Sequence, residues 1–242
     1  MIQYALYNGA VTLSFDEGRH QYRIGERLCP SVTGILEVIN KPALIGWAVK
    51  CCAEYLEDNL EIGKPVDELV KLRLIKEMKG AHRRKSGDAA DIGSIVHRFA
   101  EEYVQGKDPS LPINPQARQA AESFLDWMSQ HHVRVLSSEQ RIFSRRYWYA
   151  GTMDLEAEVD GALTRADFKT SNAIYPEMFL QLAGYDIARR EESGIAADKR
   201  TIIRFPKEGG PCQVQDAIKP AEDDAGFLAA LALFRWQKGV AA

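Results

Sequence analysis

Polar and apolar positions alternate through Met153-Asp-Leu-Glu-Ala-Glu-Val159 and again through Ala162-Leu-Thr-Arg-Ala-Asp-Phe-Lys169, with Asp160-Gly161 between them. Period-two alternation on both sides of an Asp-Gly pair predicts a β-hairpin with a two-residue turn. The reversal brings Asp154 near Asp167, and a spacing of two puts Asp167 and Lys169 on one face of the returning strand. Upstream, residues 133–136 and 140–144 alternate as two strands feeding the hairpin. Glu139 lies between them, where it reads equally well as an exposed strand residue or a functional one.

Elsewhere the period changes to that of a helix. Ser31 is a candidate N-cap for a helix running to about Ile39, and residues 43–60 follow with Leu44, Trp47, Ala48, Cys51 and Tyr55 at helical spacing. A third helix is expected over 66–80, ending at Gly80. A loop carrying His82-Arg83-Arg84-Lys85 comes next, then a helix from Asp88 to Val104 with an Ile92, Ile95, Val96, Phe99 and Tyr103 stripe. His97 and Glu101 sit one turn apart on another face of that helix. Asn114-Pro115 opens a helix to His131, and further helices are expected over 176–192 and 221–238, with a strand at 201–205 between them. Residues 3–28 read as short strands turning at Asn8-Gly9, Asp16-Glu-Gly18 and Ile24-Gly25-Glu26. The expected organisation is α/β (α+β): an N-terminal β-hairpin and helical elaboration over 1–87, packed on a core over 88–242.

Composition narrows the partners. The 242 residues are 45% hydrophobic and 27% charged, as in an ordinary soluble globular chain. No apolar run approaches the ~20 residues that span a bilayer, and Met1–Tyr7 lacks the layout of a signal peptide, so a cytoplasmic protein without a membrane partner is expected. A net charge of −3 rules out a generally basic nucleic-acid coat, leaving local patches to meet phosphates. Two such patches exist. Arg83, Arg84 and Lys85 form either a solvated loop or a phosphate-contacting one, and Arg145, Arg146, Trp148 and Tyr149 form either a strand edge or a stacking surface for bases. Cys29, Cys51, Cys52 and Cys212 show no metal-ligand spacing and read as buried, reduced thiols.

Two carboxylates converging beside an ammonium suit a hard divalent cation. Together with Gly93-Ser-Ile-Val-His97 plus Glu101, Gly151-Thr-Met-Asp154, Asp167-Phe-Lys169 and Gln181-Leu-Ala-Gly-Tyr185, in that order, this stretch resembles the RecB-like branch of the PD-(D/E)XK nuclease superfamily. That branch includes phage recombination exonucleases and the mitochondrial genome maintenance exonuclease. A softer likeness to its phage-encoded members lies in Pro30-Ser-Val-Thr33, Lys41-Pro-Ala-Leu44 and Trp47-Ala48, read as a helical cap over the nuclease core.

The resemblance implies a restriction-endonuclease-like αβββαβ core, a mixed central sheet flanked by helices. It implies a Mg²⁺- or Mn²⁺-dependent DNA nuclease, most often an exonuclease acting on DNA ends or single strands in recombination, repair or phage replication. Asp154, Asp167, the Phe168 carbonyl and His97 would hold the metal, and Lys169 would position the attacking water. Gln181, Tyr185 and Glu101 would complete the site. A single-strand annealing or recombination protein is an expected partner, in a bacterial or phage-infected cell. No iron–sulfur cluster is expected, because Cys212 alone lies downstream of the motifs. The alternative is a nucleic-acid-binding accessory module of a helicase–nuclease, with weak or no turnover.

Overall fold

The computed structural model describes residues 1–39, 41–61, 63 and 65–239. The chain clusters into two compact units: Met1–Ile39 with Ile95–Ala242, and Asn40–Ser94. The N-terminal strands therefore cluster with the central sheet and the second unit begins at Asn40, whereas the sequence pattern places one boundary at 87/88.

In the larger unit, β1 (Ile2–Leu6), β2 (Val11–Asp16), β3 (Gln21–Ile24) and β4 (Arg27–Cys29) form an antiparallel meander in sequential order. Asn8 and Gly9 take positive φ values of 56° and 85° at its first turn, where glycine carries no steric penalty. Leu13, Phe15 and Tyr22 from the meander pack against Phe143 and Ala150 of the second sheet. The Ser31 hydroxyl caps α1 (Val32–Ile35) by accepting the Gly34 N–H at 3.0 Å. That helix lasts one turn and passes into a 3₁₀ turn at Leu36–Val38, shorter than expected.

The smaller unit holds α2 (Ala43–Asn59) and the first part of α3 (Glu68–Val104). The expected break between helices ending at Gly80 and starting at Asp88 is absent. Gly80 and Gly87 both keep negative φ, and one helix of 37 residues runs through them. The Arg84 guanidinium explains part of this. It lies 3.0 Å from where a Gly80 Cβ would stand, pairs with the Glu77 carboxylate at 2.9 Å and donates to the Glu77 carbonyl at 2.8 Å. Such contacts, with Ala81 buried beside them, offset the ~1 kcal/mol that an interior glycine costs.

The second sheet has the order β5-β6-β7-β8-β9, from β5 (Val133–Ser144), β6 (Tyr149–Val159), β7 (Ala162–Lys169), β8 (Lys199–Arg204) and β9 (Gln213–Asp216). β5, β6 and β7 pair antiparallel, β7 and β8 are parallel, and β8 and β9 are antiparallel. The predicted hairpin is present, with Val159 paired to Ala162 across a turn in which Asp160 and Gly161 take φ of 50° and 86°. The two strands expected upstream are one, bulged between Val135 and Ser137. α4 (Pro115–Gln130) precedes the sheet, with Asn114 accepting from the N–H groups of Gln116 and Ala117. α5 (Pro176–Ser193) connects β7 to β8, and α6 (Pro220–Lys238) follows β9. Among the described residues no helix is long and apolar enough to cross a membrane.

Candidate metal centre

Register brings three acids to one level of the sheet. The pairs Ser138↔Leu155 and Gln140↔Met153 set Glu139 level with Asp154. The β6–β7 ladder ends at Leu155↔Ala166, so Asp154 stands level with Asp167 one rung beyond. There a side-chain bond takes over from the ladder: the Phe168 N–H donates to Asp154 Oδ2 at 2.7 Å. Carboxylates facing one another across strands repel. Glu139 also sits at φ 48°, a left-handed conformation that costs energy for a residue with a Cβ.

His97 enters from α3, its Nδ1 3.6 Å from Asp154 Oδ2 and its ring edge-on to Phe168. One ligand atom each from His97, Glu139 and Asp154 lie within 4.8 Å of one another. The ligands expected from the resemblance are His97, Asp154, Asp167 and the Phe168 carbonyl; His97 and Asp154 fall in this group, and Glu139 is the addition. The sequence did carry a signal for it. The four residues Arg145–Trp148 between β5 and β6 fix the register that sets 139 against 154.

Asp167 is buried and committed differently. Its Oδ1 accepts from Gln181 Nε2 at 2.9 Å, and its Oδ2 meets the Lys169 ammonium. Gln181 Nε2 also donates to the Tyr185 hydroxyl at 2.8 Å. Gln181 and Tyr185 lie one turn apart on α5, which faces the strand ends. The Tyr185 ring explains Gly151. A Cβ at position 151 would lie 2.9 Å from Tyr185 Cε1 and 3.2 Å from Val32 Cγ2.

Electrostatics describes a site short of positive charge. Burial and the Asp167 charge push the Asp154 carboxyl up to about 8, and burial and Asp154 push Glu139 up to about 7. Burial and the Lys169 ammonium lower the His97 pKa, keeping its imidazole neutral and able to ligate. Burial with the Asp167 and Asp154 charges holds the Tyr185 phenol well above its ordinary value, so it stays protonated. Glu101 contributes to the raised Glu139 pKa from the rim, while its carboxylate accepts from Gln105 at 3.0 Å. Two carboxylates and an imidazole are oxygen and nitrogen donors of the kind that hold Mn²⁺ or Mg²⁺, and a cation would relieve the repulsion that raises both carboxyl groups.

The remaining candidates are dispersed. Arg83, Arg84 and Lys85 belong to the smaller unit, on a helix and not a loop; Arg84 stacks over Tyr55 and Lys85 pairs with Glu54 at 2.5 Å. Arg145 and Arg146 are exposed at the β5–β6 turn, about 16 Å along β6 from Asp154 at ~3.3 Å per residue. Trp148 is half-buried at φ 44°, its indole N–H donating to the Leu28 carbonyl and the Arg27 guanidinium 4.0 Å from its ring centre. Tyr149 offers no surface to a base. It is fully buried, its hydroxyl donating to the Gly184 carbonyl at 2.7 Å and its ring edge-on to Phe227.

A buried ionic network was not anticipated. Arg165, with no exposed surface, contacts Glu156 and Asp186, and Asp186 also binds Arg200 and Arg190. It fastens α5 to β6, β7 and β8 and so fixes Gln181 over the strand ends. Two cysteines, Cys29 and Cys51, are buried as expected, whereas Cys52 and Cys212 are partly exposed. Burial pushes Cys29 and Cys212 up to about 11, leaving both as thiols near neutrality. Neither a scan against protein-family models nor a search of curated proteins gives a match to this chain.

Proposed function

We propose that this chain is a divalent-metal-dependent nuclease of the RecB-like PD-(D/E)XK type, hydrolysing phosphodiester bonds of DNA. The observation that carries the reading is the meeting of His97, Glu139 and Asp154 ligand atoms within 4.8 Å, beside an Asp167–Lys169 pair held from α5 by Gln181. The order helix, three antiparallel strands, helix, parallel strand supports a restriction-endonuclease-like core around it.

A bound Mg²⁺ or Mn²⁺ would polarise the phosphate and lower the pKa of a water. His97, Glu139 and Asp154 would hold the ion. Lys169, carried by the last residue of β7, would orient the attacking water and balance charge developing on the phosphoryl oxygens. Gln181 holds Asp167, and Asp167 in turn holds the Lys169 ammonium, so α5 sets where that ammonium points. Attack forms a phosphorus–oxygen bond as the bond to the 3′ oxygen breaks, and that oxygen leaves as a hydroxyl after taking up a proton.

The test is incubation with end-labelled single- and double-stranded DNA in Mn²⁺, Mg²⁺ or EDTA. Metal-dependent shortening of either substrate is expected, with none in EDTA. Intact DNA in both metals would overturn the reading.

A further inference from the structure

A cavity of about 220 Å³ opens beside the metal centre within the larger unit. Glu139 and Asp154 belong to its lining, the N-terminal meander and the start of α1 contribute His20, Tyr22, Ser31 and Thr33, and β6 and Tyr185 of α5 complete the wall. At ~30 Å³ per water it holds about seven waters. It falls below the ~300 Å³ at which pockets take a whole small ligand. No lysine or arginine lines it among the described residues. With two carboxyl groups in its lining and no cation along its wall, the space disfavours a phosphate and suits a neutral, ring-sized group.

Its wall has the chemistry for such a group. His20 is exposed at φ 50° in the β2–β3 turn, edge-on to Phe15 at 5.2 Å and to Tyr22 at 5.8 Å. Those contacts hold the ring in place, and the exposure of His20 leaves part of it open to a base; stacking there is sequence-tolerant because every base has a π-face. Ser31 Oγ accepts the Gly34 N–H and lies 3.4 Å from Thr33 Oγ1. Hydroxyls both donate and accept, so this pair can meet the polar edge of any base. Tyr22 is already satisfied by Thr152 at 2.7 Å and closes the cavity side.

We infer that this cavity receives the nucleobase adjoining the scissile phosphate, stacked on His20 and hydrogen-bonded by Thr33 and Ser31. The inference rests on the nuclease reading of the adjoining carboxylates and gives the first 33 residues a substrate-positioning role.

The experiment uses short labelled single-stranded oligonucleotides, intact or with one abasic residue moved along the strand. Wild type, Thr33→Val and His20→Asn are compared by binding in EDTA and by kcat/KM in Mn²⁺. Asparagine tolerates the positive φ at position 20, and valine matches threonine in shape. At one strand position an abasic residue should lower wild-type affinity about 10-fold, in the range for losing one stacked base. Each variant should lose about 5-fold on intact DNA and nothing further on that abasic strand. Mn²⁺ affinity should be the same in all three proteins. Wild-type affinity of both variants for intact DNA, or equal losses on intact and abasic strands, would overturn the inference. If wild type bound DNA but left it uncut in Mn²⁺, the nuclease reading would fall while the EDTA comparison still decided the cavity.

Discussion

At the scale of single residues, the site is governed by carboxyl groups that resist ionising. Asp154 is raised from 3.8 to about 8 and Glu139 from 4.5 to about 7, so the folded chain binds more protons than the unfolded chain between those limits. Their contribution to stability is complete at low pH and is lost as pH rises towards about 8. His97, lowered from 6.5, acts in the opposite sense only below that value. Metal-free protein should therefore lose Tm between pH 6.5 and about 8, and Asp154→Asn should flatten the slope; a flat wild-type profile would contradict the assignment. Metal binding must expel those protons. Mn²⁺ affinity should rise across the same window, and calorimetry in buffers of different ionisation enthalpy should register proton release. Lys169 separates ligation from chemistry, because an ammonium is not a ligand. Lys169→Ala should bind Mn²⁺ like wild type while cleavage falls on the order of 10²- to 10⁴-fold. Lost metal affinity in that variant would place the lysine in the wrong role.

At the scale of elements, the site depends on how α5 lies on the sheet. Asp186 holds Arg165 and Arg200 in the buried network beneath that helix. Asp186→Ala leaves both cations without their shared partner, and stability should fall by about 3–5 kcal/mol in denaturant unfolding. A loss below about 1 kcal/mol, as for a surface pair, would contradict this picture. Gly151→Ala probes the other side of the same helix. Its methyl meets Tyr185 and Val32, an overpacking that should cost about 1–3 kcal/mol and lower cleavage by displacing Tyr185. Much of this arrangement was legible in the chain. Alternation around Asp160-Gly161 foretold the hairpin, and the i, i+4 spacing of Gln181 and Tyr185 foretold their shared face. Glu139 stays open in the sequence between an exposed and a functional residue, because a bulge and a positive φ interrupt the alternation on which strand reading relies. The two ends of α3 are legible as separate helices, but its continuity is not. Glycine is a local stop signal, and the Arg84–Glu77 contacts that carry the helix past Gly80 are visible only in three dimensions. Tyr149 misled for a third reason: an aromatic beside arginines has the composition of a binding surface whether its ring points out or in.

At the scale of the whole molecule, the two units carry different parts of the sequence reading. All residues of the candidate centre, and the cavity beside it, lie in the unit formed by Met1–Ile39 and Ile95–Ala242. The Asn40–Ser94 unit exposes Leu44, Ile45, Val49, Leu69 and Leu72, and its basic run is partly neutralised by Glu54 and Glu77. The proposed catalytic chemistry thus rests on one unit, and it stands or falls on the ion. The most direct test is calorimetric titration of Mn²⁺ into wild type, Glu139→Ala and Asp154→Ala under one set of conditions. The account predicts a single site in wild type, weakened at least about 10-fold by either substitution, as expected when a ligand is removed from a built centre. Undiminished affinity in Asp154→Ala would contradict it.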